Sequence, residues 1–278
     1  MSTILITGAS GFVGKSLSSN IAKNNHRVIC MSRKHNGLDL PWVRGEFSSF
    51  EDLRQLDKEQ VDAVVHLAAV TGGCLERDGV LVNAEGTRCL MRYLMDRGCK
   101  KFVMASSIAL VGFQSTKFRP VKLPIPDEHP CLDGDGYGFS KYLMEEITRY
   151  YCLQNESIDV INLRLASVCP DKNSIPLQNV SPLSPWCLGG LTAITLADTV
   201  NAFTLAAESK YKPGLRIMNA VASKSWSAVP VAEILANWWG NEIDLSHFKK
   251  PGHEFDSVYS AERIKQEIGF AAKDLPGN

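Results

Sequence analysis

The segment Ile4-Leu5-Ile6-Thr7-Gly8-Ala9-Ser10-Gly11-Phe12-Val13-Gly14 decides the fold of this chain. Its first four residues are apolar or β-branched and predict a buried strand, and glycines then recur every third residue where a helical pattern begins. Glycine permits a tight turn and a close approach of the backbone to a ligand. The free N–H groups and the dipole at a helix start favour a bound pyrophosphate. The segment therefore predicts a dinucleotide-binding strand–turn–helix unit.

The first two-thirds of the chain alternate short apolar runs with longer helical patterns. This alternation is typical of a parallel sheet covered by helices on both faces, so we expect a doubly wound α/β fold. The predicted strands cover residues 3–7, 27–31, 61–66, 101–105, 159–164 and 215–220. The predicted helices cover residues 13–24, 81–96, 141–154, 195–209, 229–239 and 260–268.

Two stretches, residues 115–136 and 170–190, are rich in proline, glycine and aspartate or serine and predict irregular loops. We expect a dinucleotide-binding domain over residues 1–164, to which residues 191–222 return. Residues 165–190 and 223–278 are expected to form a small substrate-binding lobe.

Composition excludes several classes of function. Lys plus Arg and Asp plus Glu number 30 each, so no overall charge attracts nucleic acid or an anionic membrane. The eight cysteines form no CxxC pair and no cluster with the spacing of a zinc site, and we predict no metal. No apolar run approaches the roughly 18 residues of a membrane span. These features predict a soluble, cytoplasmic protein with reduced thiols.

The glycine spacing resembles the TGxxGxxG form found in the extended short-chain dehydrogenase/reductase family, whose NAD-dependent epimerase/dehydratase-like members modify nucleotide sugars. Further matching segments lie along nearly the whole chain: Val65–Ala69, Asn83–Thr87, Ser106–Ser107, Tyr137–Lys141, Leu163–Arg164, Asp198 and Ile268–Phe270. The resemblance implies a Rossmann-like fold and a nicotinamide dinucleotide cofactor.

Tyr137 and Lys141 are the candidate catalytic pair. Their spacing of four residues places both side chains on one face if the segment is helical. A nearby ammonium and an oxidised nicotinamide ring both favour the phenolate, which lets a tyrosine transfer a proton near neutral pH. The resemblance adds Ser107, which precedes Gly112 by the family's five-residue interval and would hydrogen-bond the reacting oxygen.

The cofactor preference is predicted from the end of the second strand. Ser32-Arg33-Lys34 carries no acidic residue to repel a 2′-phosphate, and both cations can bind one. We therefore expect NADP(H) to be preferred, with NAD(H) as the alternative. The full set of expected cofactor-binding residues is Gly8, Ser10, Gly11, Phe12, Val13, Gly14, Ser32, Arg33, Lys34, Glu46, Phe47, Leu67, Ala68, Ala69, Asn83, Ala166 and Ser167. His66, at a buried strand end, is expected to pack rather than to react.

The residues after Ser107 narrow the reaction. Family members that dehydrate nucleotide sugars carry an Asp-Glu pair there, and those that epimerise two carbons carry a cysteine, whereas this chain has Ile108-Ala109. The leading hypothesis is NADPH-dependent reduction of a keto-sugar, the 4-keto group of a nucleotide sugar. The alternatives are a nucleotide-sugar 4-epimerase, a dehydrogenase of a free sugar acid, and a non-enzymatic dinucleotide-binding scaffold or redox sensor. The expected partners are a small-molecule substrate and a second copy in a homodimer.

Overall fold

The structure is a computed structural model that describes residues 1–112, 118–181, 189, 191–240 and 242–276. The chain divides into two compact units. The first contains Met1–Ser106, Asp135–Leu163 and Ala202–Arg216, and the second contains Ser107–Gly134, Arg164–Asn201 and Ile217–Asn278.

The larger sheet has seven strands in the order β3-β2-β1-β4-β5-β6-β9, and a smaller sheet pairs β7 with β8. The strands are β1 (Thr3–Thr7), β2 (Arg27–Ser32), β3 (Trp42–Arg44), β4 (Ala63–His66), β5 (Lys101–Ser107), β6 (Asp159–Leu165), β7 (Ser167–Cys169), β8 (Ala193–Thr195) and β9 (Gly214–Ala220). β1 runs parallel to both β2 and β4, with Thr7 opposite Met31 on one side and His66 on the other. The strand order therefore reverses at β1, the point at which doubly wound sheets bind ligands.

The described helices are α1 (Phe12–Lys23), α2 (Phe50–Leu53), α3 (Glu76–Asp78), α4 (Gly86–Met95), α5 (Gly136–Gln154), α6 (Leu196–Glu208), α7 (Val231–Trp239) and α8 (Glu262–Ile268). A π-helical turn, Gly79–Glu85, joins α3 to α4. Short 3₁₀ turns cover Arg54–Leu56, Ile108–Val111 and His247–Lys249. None of these described helices is long and apolar enough to cross a bilayer.

The predicted α/β doubly wound fold is confirmed, and each predicted strand has a counterpart within a few residues. Two helix predictions were wrong at their boundaries. α5 begins at Gly136 rather than at residue 141, because the Asp135 carboxylate caps it. The helix predicted over residues 81–96 starts as the π-helical turn, and its α-helical part begins at Gly86.

Three strands of three residues each, β3, β7 and β8, were not predicted, because such short segments carry too little periodicity. The loops expected over residues 115–136 and 170–190 fall partly on residues 113–117, 182–188 and 190, which lie outside the described residues.

The core of the first unit forms where the central strands pack against α4 and α5. Leu5, Val64 and Phe102 come from the strands, and Leu90 and Met144 come from the two helices. All five are almost fully buried. Removal of this much apolar surface from water supplies the main stabilisation of the sheet.

The second unit has a smaller core around Trp226, which is fully buried against Cys169, Ala193 and Ala222. Its C-terminal segment is held by the Asp198 carboxylate, which accepts hydrogen bonds from the backbone N–H groups of residues 273 and 274 at 2.9–3.0 Å. A buried carboxylate that is satisfied by backbone donors fixes the path of the chain end.

A buried charge cluster lies at the amino ends of β5, β6 and β9. The Asp159 carboxylate is fully buried, accepts a hydrogen bond from the Arg216 guanidinium at 2.5 Å, and lies 3.8 Å from the Lys101 ammonium. Lys101 also donates to the Ser209 hydroxyl at 2.9 Å. Burial lowers the pKa of Lys101, and the Asp159 charge opposes that shift. The Asp159 carboxylate therefore balances buried positive charge from both Arg216 and Lys101.

Asp159→Asn should strongly destabilise the protein, since it removes the carboxylate charge beside the buried cations of Arg216 and Lys101. Breaking a buried ion pair from one side typically costs about 3–5 kcal/mol. The measurement is the free energy of unfolding in urea. Glu51→Gln serves as the control, because it removes an exposed pair with Arg54 and should leave the unfolding midpoint unchanged. Equal midpoints for Asp159→Asn and Glu51→Gln would contradict the role assigned to the cluster.

Candidate active site

Two glycine positions at the β1–α1 junction have no space for a side chain. Gly8 has a φ of +68°, and a Cβ on it would lie 2.7 Å from the backbone nitrogen of Ala68. A Cβ on Gly14 would lie 2.1 Å from the carbonyl oxygen of Gly8. The N–H of Gly11 donates to that same oxygen at 2.9 Å. The three glycines predicted from the sequence are therefore each required by a close backbone approach or by a turn.

The start of α1 is open to a ligand. No described side chain caps this helix at Gly11, and its first turn contains no acidic residue. Ser10, Gly11 and Phe12 are exposed and Val13 is half-buried. Uncapped N–H groups at a helix start favour an anion. The glycine cradle and these free donors fit the pyrophosphate of a dinucleotide.

The end of β2 presents two cations beside this turn. Arg33 and Lys34 are exposed, whereas Ser32 is buried. The Ser32 hydroxyl donates to the carbonyl of Lys34 at 2.7 Å and accepts from the Trp42 indole at 3.2 Å. Ser32 therefore shapes the loop that carries the two cations.

Lys15 is a third cation near this loop and was not predicted from the sequence. A Cβ built on Gly37 would lie 3.8 Å from the Lys15 ammonium nitrogen. The signal that could have found it is weak, because an exposed lysine in the first helical turn is usually only solvated.

The end of β4 is held against β1 through Thr7. Its carbonyl accepts from the N–H of Leu67 at 3.3 Å, and its hydroxyl accepts from the N–H of Ala68 at 3.4 Å. Leu67, Ala68 and Ala69 are half-buried beside the glycine turn. They lie where the strand order reverses, as the predicted cofactor contacts require, although their contact with a cofactor stays a prediction.

His66 is buried and bonded on both ring nitrogens. Nδ1 is 2.6 Å from the Thr7 hydroxyl, and Nε2 is 3.2 Å from the Thr87 hydroxyl. Burial, together with the positive charge of Lys141, lowers the pKa of His66 to about 3. The ring is therefore neutral near pH 7, which agrees with the packing role expected from the sequence.

Asn83 ties the π-helical turn to its surroundings. Its side-chain oxygen accepts from the N–H of Val70 at 2.8 Å, and its amide donates to the Val70 carbonyl and to the Ser140 hydroxyl at 2.9 Å each. These partners are all protein groups, so Asn83 holds the loop after β4 against α5. Its contact with a cofactor stays a prediction.

Phe47 and Glu46 differ in environment. Phe47 packs in the core, its ring 4.6 Å from that of His66, and it fills the space that a Cβ on Gly86 would need. Glu46 is exposed, and its N–H donates to the Asp52 carboxylate at 2.8 Å. The contacts of these two residues with a cofactor stay predictions.

Ala166 and Ser167 belong to the second unit. The N–H of Ala166 donates to the Ala220 carbonyl at 3.3 Å, and the Ser167 hydroxyl donates to the Gly189 carbonyl at 3.3 Å. These bonds order the segment between β6 and β7. The cofactor contacts expected of these two residues stay predictions as well.

Tyr137 lies in the first turn of α5, and Lys141 lies one turn further on. The helix starts there because the Asp135 carboxylate accepts hydrogen bonds from the N–H groups of Tyr137 and Gly138 at 2.8 and 3.0 Å. The pair therefore shares one helix face, with the ammonium 5.8 Å from the centre of the phenol ring. An aspartate is a preferred N-cap, so Asp135 could have been found from the sequence.

Lys141 is a buried cation. It is only 3 % exposed, and its ammonium donates to the carbonyl of Ala105 in β5 at 2.8 Å. Burial lowers the pKa of Lys141 to about 8, and the charges of Glu145 and Cys74 oppose that shift. An ammonium in this environment has a stronger electrostatic effect on a neighbouring phenol than one in water.

Glu145 was not predicted as a site residue. It is 2 % exposed, lies one helical turn after Lys141, and accepts a hydrogen bond from the Ser106 hydroxyl at 2.6 Å. The continuing four-residue spacing of Tyr137, Lys141 and Glu145 is the signal that could have found it.

Ser107 ends β5 and is the first residue of the second unit. Its hydroxyl accepts from the N–H of Ala109 at 3.1 Å, which starts the 3₁₀ turn Ile108–Val111. Gly112 ends that turn with a φ of +106°. The Gly112 spacing noted in the sequence therefore reflects a turn that requires a left-handed residue.

The described geometry supports proton transfer at Tyr137. Its phenol is half-buried, so a substrate oxygen can approach it, and Lys141 lies on the same helix face as a charge partner. In the first unit, the structure brings the glycine turn and the ends of β2 and β4 to the same edge of the sheet, because parallel strands share that edge.

Comparison with known proteins identifies the family of this chain. The profile of the NAD dependent epimerase/dehydratase family matches residues 4–176. UDP-glucose 4-epimerase of Drosophila melanogaster is 28% identical over 187 residues, which cover 58% of this chain and 52% of that enzyme. UDP-glucose 4-epimerase of Homo sapiens is 22% identical, and the alignment covers 97% of this chain and 91% of that enzyme.

Solved structures show the same fold. A short-chain dehydrogenase/reductase superfamily protein from Agrobacterium tumefaciens with bound NAD superposes with a TM-score of 0.71 at 22% identity, covering 98% of this chain and 92% of that chain. UDP-glucose 4-epimerase from Bifidobacterium longum, in complex with NAD⁺ and UDP, superposes with a TM-score of 0.72 at 18% identity, covering 98% and 94%. Since the family profile spans more than half of its residues, this chain belongs to the NAD dependent epimerase/dehydratase family, of the extended short-chain dehydrogenase/reductase type.

Proposed function

We propose that this protein is an NADPH-dependent reductase of a keto-sugar, with the 4-keto group of a nucleotide sugar as the preferred substrate. The observation that carries the proposal is the pairing of a half-buried Tyr137 with the buried ammonium of Lys141 on one face of α5. This pair can deliver one proton to a substrate oxygen.

Each residue of the candidate triad has a separate task in this reaction. Tyr137 donates its phenolic proton to the carbonyl oxygen, and Lys141 stabilises the phenolate that remains. Ser107 donates a hydrogen bond to the same substrate oxygen. A bound nicotinamide cofactor supplies the hydride.

Two features support a reaction that transfers one hydride and one proton and uses no second acid or base. The positions after Ser107 hold buried Ile108 and Ala109, which cannot act as a second acid or base. His66, a buried titratable group whose pKa responds to the Lys141 charge, is neutral and already bonded on both nitrogens.

The choice of NADPH rests on the exposed Arg33 and Lys34 at the end of β2. Arg33 can form two parallel hydrogen bonds with a 2′-phosphate, and Lys34 adds a point charge. Lys15, close to the same loop, adds a further positive charge. The solved structures from Agrobacterium tumefaciens and Bifidobacterium longum hold NAD, so this preference would be a property of this chain.

A second candidate function is 4-epimerisation of a nucleotide sugar. The relatives from Drosophila melanogaster and Homo sapiens are UDP-glucose 4-epimerases, which specifically favours it. An epimerase returns the hydride to the same substrate, so it retains its cofactor and shows no net redox change. A reductase consumes NADPH in proportion to product.

Turnover of defined substrates distinguishes the two functions. We expect the purified protein to oxidise NADPH stoichiometrically with a 4-keto-sugar nucleotide, and not to interconvert UDP-glucose and UDP-galactose. Interconversion without added cofactor, by protein that retains NAD⁺, would establish the epimerase instead. Rapid reduction of NAD⁺ by a free uronate would establish a sugar-acid dehydrogenase.

Tyr137→Phe should lower kcat by about a hundred- to ten-thousand-fold, the usual contribution of a general acid, while cofactor affinity stays unchanged. Tyr142→Phe is the matched control, since it removes a phenolic hydroxyl from the same helix at a partly exposed position. A loss below tenfold for Tyr137→Phe would exclude it as the proton donor.

Glu145→Gln should move the alkaline limb of the kcat/KM profile to lower pH. The Glu145 charge favours the protonated form of the Tyr137–Lys141 pair, so its removal lets the pair lose a proton at lower pH. Glu145→Asp keeps the charge and should restore much of the profile. Glu146→Gln, at a partly exposed neighbouring position, should leave the profile in place. An unchanged limb in Glu145→Gln would show that Glu145 only packs.

Arg33→Ala should weaken NADPH binding by roughly tenfold or more, which corresponds to loss of a charged hydrogen bond of about 1.5–3 kcal/mol. NADH affinity should stay the same, because that cofactor lacks the 2′-phosphate. Lys23→Ala, at the far end of α1, controls for the change in net charge. Calorimetric titration measures both affinities, and tighter NADH than NADPH binding by the wild-type protein would refute the preference.

A further inference from the structure

Two histidines and an aspartate meet within ten residues of the second unit. Nε2 of His247 lies 3.0 Å from Oδ2 of Asp256, and Nδ1 of His253 lies 2.7 Å from the same oxygen. The three donor atoms all lie within 4.8 Å of one another. None of the three residues belongs to the candidate active site, so a role for this cluster does not depend on the proposed function.

The backbone holds this cluster in place. A turn between the histidines contains Gly252 with a φ of +84°, and the N–H of His253 donates to the Lys250 carbonyl at 3.0 Å. The N–H of Asp256 then donates to the His253 carbonyl at 3.2 Å. The donor atoms are therefore brought together by local structure before any ligand arrives, which reduces the entropy cost of binding.

Asp256 is fixed from its other side by Lys224. The Lys224 ammonium donates to Oδ1 of Asp256 at 2.8 Å, and the Ser225 hydroxyl donates to its backbone carbonyl at 3.0 Å. Oδ1 is thus used by the lysine, and Oδ2 points to the two imidazoles. A second contact that orients a ligating carboxylate is common around metal sites.

The spacing of the donors suits a small divalent ion. With bonds of about 2.0–2.1 Å in a tetrahedron, neighbouring ligand atoms are roughly 3.3 Å apart. The two distances to Oδ2 are a few tenths of an ångström shorter, and rotation of the imidazoles can supply the difference. His253 is exposed and His247 is partly exposed, so an ion can reach both rings from solvent.

Two imidazoles and one carboxylate select a borderline transition metal. Mg²⁺ and Ca²⁺ prefer oxygen ligands, whereas Zn²⁺, Co²⁺ and Ni²⁺ accept imidazole nitrogen. We propose that His247, His253 and Asp256 bind one Zn²⁺, with water as the fourth ligand. The ion takes the place of the two hydrogen bonds between the imidazoles and Oδ2 of Asp256. It thereby links the two ends of the loop between the histidines.

Lys224 limits the expected affinity of the cluster for Zn²⁺. Its ammonium beside Asp256 repels a second cation, so we expect affinity in the micromolar range rather than that of a structural zinc finger. The sequence did not suggest this site, because the spacing of five residues between the histidines and two before the aspartate matches no common zinc motif.

The test uses the full-length, untagged protein after treatment with a chelator. Calorimetric titration with ZnCl₂ should show one ion per chain, and Co²⁺ should give the visible absorption of a tetrahedral site. The double variant His247→Gln and His253→Asn keeps amide N–H groups that can hydrogen-bond Asp256 but removes both metal-binding nitrogens. Its Zn²⁺ affinity should fall at least tenfold, and Zn²⁺ should no longer raise its unfolding temperature.

His26→Gln is the matched control, because His26 lies 3.4 Å from the Glu208 carboxylate and, within the part of the chain that the structure describes, belongs to no cluster of three metal-binding side chains. Its Zn²⁺ affinity should equal that of the wild type. Zn²⁺ affinity in the double variant equal to that of the wild type would overturn the proposal. Failure of the wild-type protein to bind Zn²⁺ or Co²⁺ below millimolar concentration would also overturn the proposal. This measurement does not depend on whether the variant folds.

Discussion

The lack of space for a Cβ atom at Gly8 and Gly14 is the constraint on which the rest of the first unit depends. Gly8 and Gly14 lie so close to neighbouring backbone that a single added carbon would overlap it. This closeness fixes the start of α1 relative to β1. It also requires the loop after β4 to pass beside Gly8 through its backbone at Ala68. The turn after β1 and the loop after β4, which flank the expected dinucleotide site, are therefore positioned against each other by backbone contacts.

The second organising feature is the balance of buried charge between β5 and α5. Lys141 is removed from water, and the chain compensates with a carbonyl of β5 and with the carboxylate of Glu145 one turn away. Ser106, the neighbour of Ser107, bonds that carboxylate. The end of β5 and the face of α5 that carries Tyr137 are thus joined through a polar chain. Such networks specify one arrangement, because an unsatisfied buried member is costly.

Much of this arrangement could be predicted from local sequence. The strand–turn–helix glycines, the buried strands and the spacing of Tyr137 and Lys141 each depend on residues close together in the chain. Asp135, a preferred N-cap residue, is also a local signal for the start of α5, whereas the apolar spacing alone predicts a start at residue 141. The spacing of Glu145 was a local signal for its place beside Tyr137 and Lys141, but its bonding partner and the packing of Phe47 in the core could not be predicted in this way. They follow from contacts with residues about 40 positions away, Gly86 and Ser106, which no periodicity contains.

The π-helical turn Gly79–Glu85 has a consequence for how this protein can change in evolution. Its hydrogen bonds span one residue more than those of an α-helix. Loss of one residue would restore the α-helical path and change the direction of the Asn83 side chain relative to α4. Asn83 would then leave both the loop after β4 and Ser140. The number of residues in this segment is therefore constrained independently of their identity, and insertions and deletions should be tolerated better in the surface loops than here.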